Sequence, residues 1–116
     1  MKRRFIYFGS PPPPPLPLIL GGGNYSLYTD YTQAWGWGYN LYGQLGNNDT
    51  DDWGSFPNSP VAVCGDHTFC HISGGIQHLL AIDHSGQAWG WGYNFYGQIG
   101  DGTSTNRHTP VRVCNL

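Results

Sequence analysis

Charged residues are scarce in this 116-residue chain, where they make up only 10% of the sequence. The formal net charge is -2, and the basic residues cluster only at Lys2, Arg3 and Arg4, so no basic surface for nucleic acid is expected. The sequence also lacks a recognisable Ser-His-Asp set, a phosphate-binding loop and paired catalytic carboxylates. We therefore expect no enzymatic activity, no cofactor and no bound metal.

Long apolar runs are missing too, since no stretch approaches the roughly 18 residues of a transmembrane helix. The basic start resembles the first part of a signal peptide, but its apolar run covers only residues 5–8 and prolines follow. Low charge with abundant Tyr, Asn, Gln, Gly and Thr is typical of extracellular or shell-forming proteins. We therefore favour a virion or extracellular location over the cytoplasm. The protein would reach it by a route that does not use the basic start as a signal peptide.

Glycine (18 residues) and aromatic residues (16%) are abundant, and both are concentrated in a repeat. Residues 34–46 read Ala-Trp-Gly-Trp-Gly-Tyr-Asn-Leu-Tyr-Gly-Gln-Leu-Gly, and residues 88–100 match them at eleven of thirteen positions, at an offset of 54. Tryptophan alternating with glycine has the period of a β-strand, which predicts both tryptophans on one face and Ala or Gly on the other. A face without large side chains lets another layer approach closely, so the repeat predicts stacked sheets.

Each repeat unit is expected to form four short antiparallel strands, giving an all-β fold. In the second unit the predicted strands are 70–73, 78–83, 87–92 and 110–114, with strand 78–83 buried on both faces. Gly86 is expected to adopt the left-handed conformation of a hairpin turn. In the first unit, an offset of 54 places Asn24 opposite His78 and Thr32 opposite Gly86.

The predicted units are residues 21–69 and 70–116. The residues expected in the repeat core are Trp35, Trp37, His78, Trp89 and Trp91.

Residues 1–20 are predicted to form an extended proline-rich arm. Its five consecutive prolines impose a polyproline II rod of about 15 Å. Three interpretations remain open: a strap that anchors the chain, a spacer or disordered leader, and a ligand for SH3, EVH1 or profilin-type grooves. The anchoring residues would be Phe5, Tyr7, Phe8, Pro11, Pro12, Pro13, Pro14 and Pro15.

The densest cluster of reactive residue types lies between the two units. Cys64 and Cys70 could form a disulfide in an oxidising location, or remain buried free thiols. A zinc site with His67 and His71 is disfavoured because the spacing is not a standard ligand pattern. Cys114 is left over and could pair with another chain or with a cysteine outside this sequence.

Other polar and aromatic residues are expected to have structural roles. His78 is tempting as a general base, but a hydrogen bond to backbone between strands fits its place in the repeat better. Asp83 and Asp101 lie in predicted turns, where aspartate accepts bonds from backbone amides. The acidic loop of Asp49, Asp51 and Asp52 lacks the pattern of a calcium loop and is expected to be solvated. The loop aromatics could stack on sugars or on protein, or pack the loops between blades: Tyr39, Tyr42, Trp53, Tyr93 and Tyr96.

The combined pattern resembles the repeats of the regulator-of-chromosome-condensation family. In the second unit the matching residues are Gly75, His78 to Ile82, Gly86, Trp91-Gly92, Asn94, residues 97–100, Asp101-Gly102 and Pro110-Val111. The resemblance covers about 95 of 116 residues and implies blades of a β-propeller, usually seven per ring. The family's nucleotide exchange on a small GTPase and its chromatin binding belong to loops of complete propellers that have no counterpart here, so the resemblance implies the fold and not the activity.

Two blades cannot close a ring, and each would leave one face open. The open faces would be covered by copies of the chain, by a partner's blades, or by the rest of a longer chain; Cys114 without a counterpart of Cys70 after it favours the last. We expect a non-enzymatic interaction module, a structural or decoration component of a larger assembly such as a virus particle, anchored by the arm. Its partners would be other proteins or copies of itself. The alternatives are an intracellular regulatory propeller that binds a GTPase or signalling partner, and a carbohydrate-binding module.

Overall fold

The computed structural model describes residue 9 and residues 16–50 and 56–116. The arm residues from Phe5 to Pro15 that were singled out above, and Trp53 in the acidic loop, lie outside these described residues. The described residues contain eight strands in two four-stranded antiparallel sheets, which confirms the predicted all-β architecture. Within the same residues, no helix is long and apolar enough to cross a membrane.

Each sheet is a meander of sequential strands, and with its loops it is called a blade below. Blade 1 contains β1 (Leu18–Gly21), β2 (Tyr25–Thr29), β3 (Ala34–Gly38) and β4 (Val61–Ala62). Blade 2 contains β5 (Phe69–Gly74), β6 (His78–Asp83), β7 (Ala88–Gly92) and β8 (Arg107–Arg112). Residues 18–20, which the sequence pattern assigns to the arm, are therefore part of the first strand of blade 1.

The last strand of blade 2 begins at Arg107 and ends at Arg112, earlier than the predicted strand 110–114. Its pairing with β7 is irregular between Gly90 and Gly92. Pro110 lies within this strand and has no N–H to donate to a sheet ladder. The irregularity on an edge strand accommodates the proline, and this is why the strand extends to both sides of it.

The hairpins of the two blades differ by one residue, which corrects the predicted alignment of the first unit. Asp30 accepts bonds from the amides of Thr32 and Gln33, whereas Asp83 accepts them from the amides two and four residues further on. Blade 1 has no counterpart of Gly86, whose φ of 87° confirms its predicted left-handed conformation. In strand β2 the correct offset is therefore 53.

That offset makes Tyr25, and not Asn24, the counterpart of His78. The backbone agrees, because the amide of Gly22 donates to the carbonyl of Tyr25 as that of Gly75 donates to the carbonyl of His78, at 2.8 and 2.9 Å. Blade 1 thus carries a tyrosine where blade 2 carries the histidine of the repeat.

Candidate interaction surfaces

The two faces of each blade are chemically different, as the repeat predicts. One face, called the tryptophan face, carries Trp35 and Trp37 in blade 1 and Trp89 and Trp91 in blade 2. The opposite face, called the glycine face, carries the alanine and glycines of β3 or β7 and the strand residues that pair with them. In the structure, the glycine face of blade 1 packs against the tryptophan face of blade 2, and together they form the buried core.

At this interface, a tryptophan of blade 2 packs directly against the backbone of a loop in blade 1. Trp91 is fully buried, and its indole Nε1 donates to the carbonyl oxygen of Gln44 at 3.0 Å. A Cβ at Gly46 would lie 2.9 Å from that same Nε1, so only glycine leaves room for the indole. Phe69 stacks on Trp91 with a centroid separation of 5.5 Å, which extends the apolar contact.

A tyrosine provides the polar contact of the interface. The Tyr25 hydroxyl lies 2.8 Å from the carbonyl oxygen of Gly75 and 2.9 Å from that of His78, both in blade 2. Burial raises the pKa of this tyrosine to about 12, so the hydroxyl stays protonated and able to donate. The contact joins the first hairpins of the two blades.

The other two faces are open within the described residues. Leu80 and Ile82 of β6 are 37% and 41% exposed, so the prediction that strand 78–83 is buried on both faces is wrong. The strand is apolar on both sides, but only its Leu79 and Ala81 side meets a neighbouring blade. Its open side forms the floor of an apolar groove of about 650 Å³ on the glycine face of blade 2.

A buried asparagine organises the long loop of each blade. The Asn94 side-chain oxygen accepts from the amide of Ile99, and its Nδ2 donates to the carbonyls of Thr103 and Thr105. Asn40 repeats part of this arrangement by accepting from the amide of Leu45 and donating to the carbonyl of Asp49. One side chain thus replaces the ladder bonds that a loop of this length lacks.

The loops bring six aromatic rings into one continuous ribbon at one end of the sheets. Neighbouring centroids are 4.7 to 6.3 Å apart, and the Tyr42–Tyr93 contact at 4.7 Å crosses from blade 1 to blade 2. Phe95 and Tyr96 are 65% and 80% exposed. The aromatic ribbon consists of Phe56, Tyr39, Tyr42, Tyr93, Phe95 and Tyr96.

Two members of the ribbon were missed by the sequence reasoning. Phe95 is one of the two positions at which the thirteen-residue repeats differ, and it replaces Leu41. That change from leucine to an exposed phenylalanine was a usable signal. Phe56 follows the acidic loop and offers no such signal, because only the fold brings it to within 5.2 Å of Tyr39.

His78 lies on the open glycine face with its imidazole ring over Gly75. Burial lowers the pKa of this imidazole, which favours the neutral form. Among the described residues the ring makes no hydrogen bond to backbone, whereas its counterpart Tyr25 does so across the blade interface. The predicted backbone bond therefore has no partner within these two blades.

The cysteines and histidines of residues 64–71 do not come together in one site. All three cysteines are free thiols, and the Cys70 thiol lies 3.4 Å from the carbonyl oxygen of Ile82. His67 stacks on Phe69 and lies beside Trp89, and burial lowers its pKa. No group of three potential metal-ligating side chains comes together in the described parts of the chain. A disulfide between Cys64 and Cys70 stays a prediction for an oxidising environment.

The predicted turn aspartates accept backbone amides, as expected. Hydrogen bonds from the side chains of Ser85 and Trp89 hold the pKa of Asp83 at about 2. For Asp101, burial would raise the pKa, but bonds from Thr103 and Arg107 outweigh it and leave a pKa of about 2. The Arg107 Nε lies 2.6 Å from the Asp101 carboxylate.

These two carboxylates predict a loss of stability in acid. Because each pKa of about 2 is below the value of about 3.9 for an unfolded aspartate, their stabilisation is complete above about pH 4 and is lost as the pH falls toward 2. Thermal unfolding followed between pH 2 and 5 should show a falling Tm, with a smaller slope in Asp101→Asn. The exposed Asp66→Asn is the control, and an equal slope in all three proteins would contradict the assignment.

Known proteins share both the repeat and its three-dimensional form. Two family models of the Regulator of chromosome condensation (RCC1) repeat match the chain, one over residues 33–82 and 85–116 and the other over residues 69–98. The chain is 31% identical over 99 residues to the ultraviolet-B receptor UVR8 of Arabidopsis thaliana, an alignment covering 84% of this chain and 22% of the receptor. It is 34% identical over 85 residues to the human E3 ubiquitin-protein ligase HERC2, covering 72% of this chain and 2% of the ligase.

Solved structures agree with the fold. Human WBSCR16 superposes with a TM-score of 0.71 at 25% identity, over 83% of this chain and 24% of that protein. Prp20p from Saccharomyces cerevisiae, whose structure was described with its binding properties to Gsp1p and histones, gives a TM-score of 0.68 at 21% identity, over 85% and 26%. The chain therefore spans about a quarter or less of the length of the proteins that it matches.

Proposed function

We propose that this chain, which belongs to the Regulator of chromosome condensation (RCC1) repeat family, is a non-catalytic module that binds other proteins through the loop end of its blades. The aromatic ribbon is the observation that carries the proposal. Exposed aromatic rings are unusual on a surface without a partner, and aromatic residues are enriched where proteins bind one another.

The ribbon is suited to an extended, apolar partner segment. Its rings cross the blade boundary at Tyr42 and Tyr93, so one ligand can contact both blades. Tyr39 packs between Phe56 and Tyr42. The far end at Phe95 and Tyr96 is the more exposed and offers most of the accessible surface. Rings fixed by neighbouring rings lose little conformational entropy when a ligand binds.

The finer role that we propose is that of a component of a larger assembly, anchored by residues 5–15, in a virus particle or another extracellular structure. The low charge of the chain supports it. The alternative is a regulatory propeller that binds a GTPase or signalling partner, and membership of the family is compatible with it. Removal of residues 1–15 tests the anchor, because it spares β1; a truncated chain that still enters its assembly would refute the anchoring role.

The binding proposal is tested with two defined probes: a displayed library of random twelve-residue peptides and a glycan array. We expect the full chain to enrich peptides rich in apolar residues and to ignore glycans. The double variant Phe95→Ala/Tyr96→Ala should bind the selected peptides at least tenfold more weakly, whereas His84→Ala, in the hairpin at the opposite end of blade 2, should bind normally. Selection of glycans, or peptides that bind both variants equally, would exclude the ribbon as a protein-binding site.

A further inference from the structure

We propose that the open glycine face of blade 2 binds the open tryptophan face of blade 1 from a second copy of this chain, head to tail. The inference deepens the assembly role proposed above and does not involve the aromatic ribbon. It names the contact that joins the copies, the residues that form it and the geometry that it imposes.

The open glycine face repeats the covered one almost side chain for side chain. At corresponding positions, each of these faces has a leucine in the second strand, an alanine in the third, a branched aliphatic residue in the loop and a valine after the last strand. The covered set in blade 1 is Leu27, Ala34, Leu45 and Val63, and all four are less than 5% exposed. The corresponding set in blade 2 is Leu80, Ala88, Ile99 and Val113, and these four line the apolar groove. Leu80 is 37% exposed there, whereas Ile99 is only 1% exposed because its own blade already covers most of it.

The open glycine face also has the space that receives an indole in the covered interface. Gly46, against which Trp91 packs, has a φ of 66°, and its counterpart Gly100 has a φ of 75°. Around a Cβ at Gly100, only a Val113 methyl lies within 4 Å, so the space that Trp91 fills in the covered interface is empty here. The groove therefore has the shape that receives a tryptophan face.

The complementary surface is present on the same chain. Trp35 and Trp37 of blade 1 correspond to Trp89 and Trp91, and within the described residues no sheet covers them. The two tryptophan faces differ at the paired positions of the second strand, where blade 1 has Ser26 and Tyr28 and blade 2 has Leu79 and Ala81. The larger of the two side chains is therefore opposite Trp35 in blade 1 and opposite Trp91 in blade 2. In the proposed contact, the Trp37 indole donates to the carbonyl of Gln98 as Trp91 donates to that of Gln44.

The contact also gives His78 a partner. Tyr25, its counterpart, reaches two carbonyls of the adjoining blade across the covered interface. His78 occupies the same place on the open face, so its neutral imidazole would donate to the first hairpin of the incoming copy. The backbone bond expected of this histidine is then formed between copies and not within one.

A second copy is the occupant because each chain offers both halves of the contact. The contact is heterologous, and repeating it closes a ring when the rotations from blade to blade add up to a full turn. Propellers have roughly four to eight blades, so rings of two to four copies are expected. Pairing of two identical faces would leave the open faces of the other kind uncovered.

Two variants, each with one face disabled, test this geometry. Trp37→Ala removes the incoming indole but keeps the groove, and Leu80→Glu places a charge in the groove but keeps the tryptophan face. Light scattering should give whole multiples of 12.8 kDa for the unmodified chain and a single chain for each variant alone. An equimolar mixture of the variants should form a one-to-one dimer and grow no further, because only one pair of intact faces remains.

The alternatives give different masses. A mixture that stays monomeric, or an unmodified chain that is monomeric at every concentration, would overturn the proposal. Dimers of Trp37→Ala alone would show groove-to-groove pairing instead. Circular dichroism verifies that each variant is folded. If either one unfolds, Trp35→Ala and Ile82→Glu are used in place of Trp37→Ala and Leu80→Glu. Peptide binding measured on the monomeric variants reports on the ribbon separately, so either proposal can fail without the other.

Discussion

Replacing Trp91 by alanine is expected to lower the free energy of unfolding by about 3–5 kcal/mol, the range for removing a large buried aromatic side chain. Trp91 is fully buried between the blades, and its loss also leaves the carbonyl of Gln44 without a donor. The result is read from urea unfolding of the variant and the unmodified chain at a concentration at which both are monomeric.

The repeat provides the matched control for this experiment. Trp37 occupies the corresponding position in blade 1 and has the same chemistry, but it lies on the open tryptophan face. Trp37→Ala is therefore expected to cost no more than about 2 kcal/mol in the monomer, since little packing is lost. Equal losses for the two variants would mean that the blades do not pack in the observed order.

Asn94→Ala is expected to lower the free energy of unfolding by about 3 kcal/mol. Asn94 is fully buried, and its removal leaves the amide of Ile99 and the carbonyls of Thr103 and Thr105 without their partner. Each buried polar group left unpaired costs about 1–3 kcal/mol, partly relieved when water enters the loop. Urea unfolding measures the loss.

Asn106→Ala is the comparison for Asn94→Ala, because the Asn106 side chain accepts a single bond, from the amide of Asn94 at 2.8 Å. We expect it to cost about 1 kcal/mol, the net value of an ordinary hydrogen bond. A loss for Asn94→Ala as small as this would show that the asparagine does not organise the loop.

Much of the fold could be predicted because the repeat determines the two periodic strands. The alternation of tryptophan and glycine indicated which side chains share a face, and the structure confirms it in both blades. Periodicity does not indicate whether a face meets a neighbour. The sequence of strand 78–83 is apolar on both sides whether or not a second blade covers each side. Only the three-dimensional structure shows that the side with Leu80 and Ile82 is open.

The wrong alignment of strand β2 with the second unit has a local cause. The offset of 54 is correct for the repeated thirteen residues, but the hairpin before them is one residue shorter in blade 1, and Tyr31 takes a positive φ of 73° there. Because side chains alternate along a strand, a shift of one residue moves every side chain to the other face. This shift is why an offset of 54 aligns Asn24 with His78, although Tyr25 occupies the corresponding place in the fold.

The aromatic ribbon was predictable only in part. Tyr39, Tyr42, Tyr93 and Tyr96 follow the tryptophan strands and were recognised as loop aromatics. Their union into one surface depends on how the two blades pack, which brings Tyr42 and Tyr93 within 4.7 Å. Sequence spacing carries no information about that distance.

The most direct test of the blade packing is the exchange of the indole N–H protons with solvent, followed by NMR. Phenylalanine replacements assign the signals of Trp37 and Trp91 among the five tryptophans. In the dilute, monomeric chain, the Trp91 proton should exchange only on local or global opening, while the Trp37 proton should exchange rapidly. Equally fast exchange of the two protons would contradict the packing of the blade 1 glycine face against the blade 2 tryptophan face.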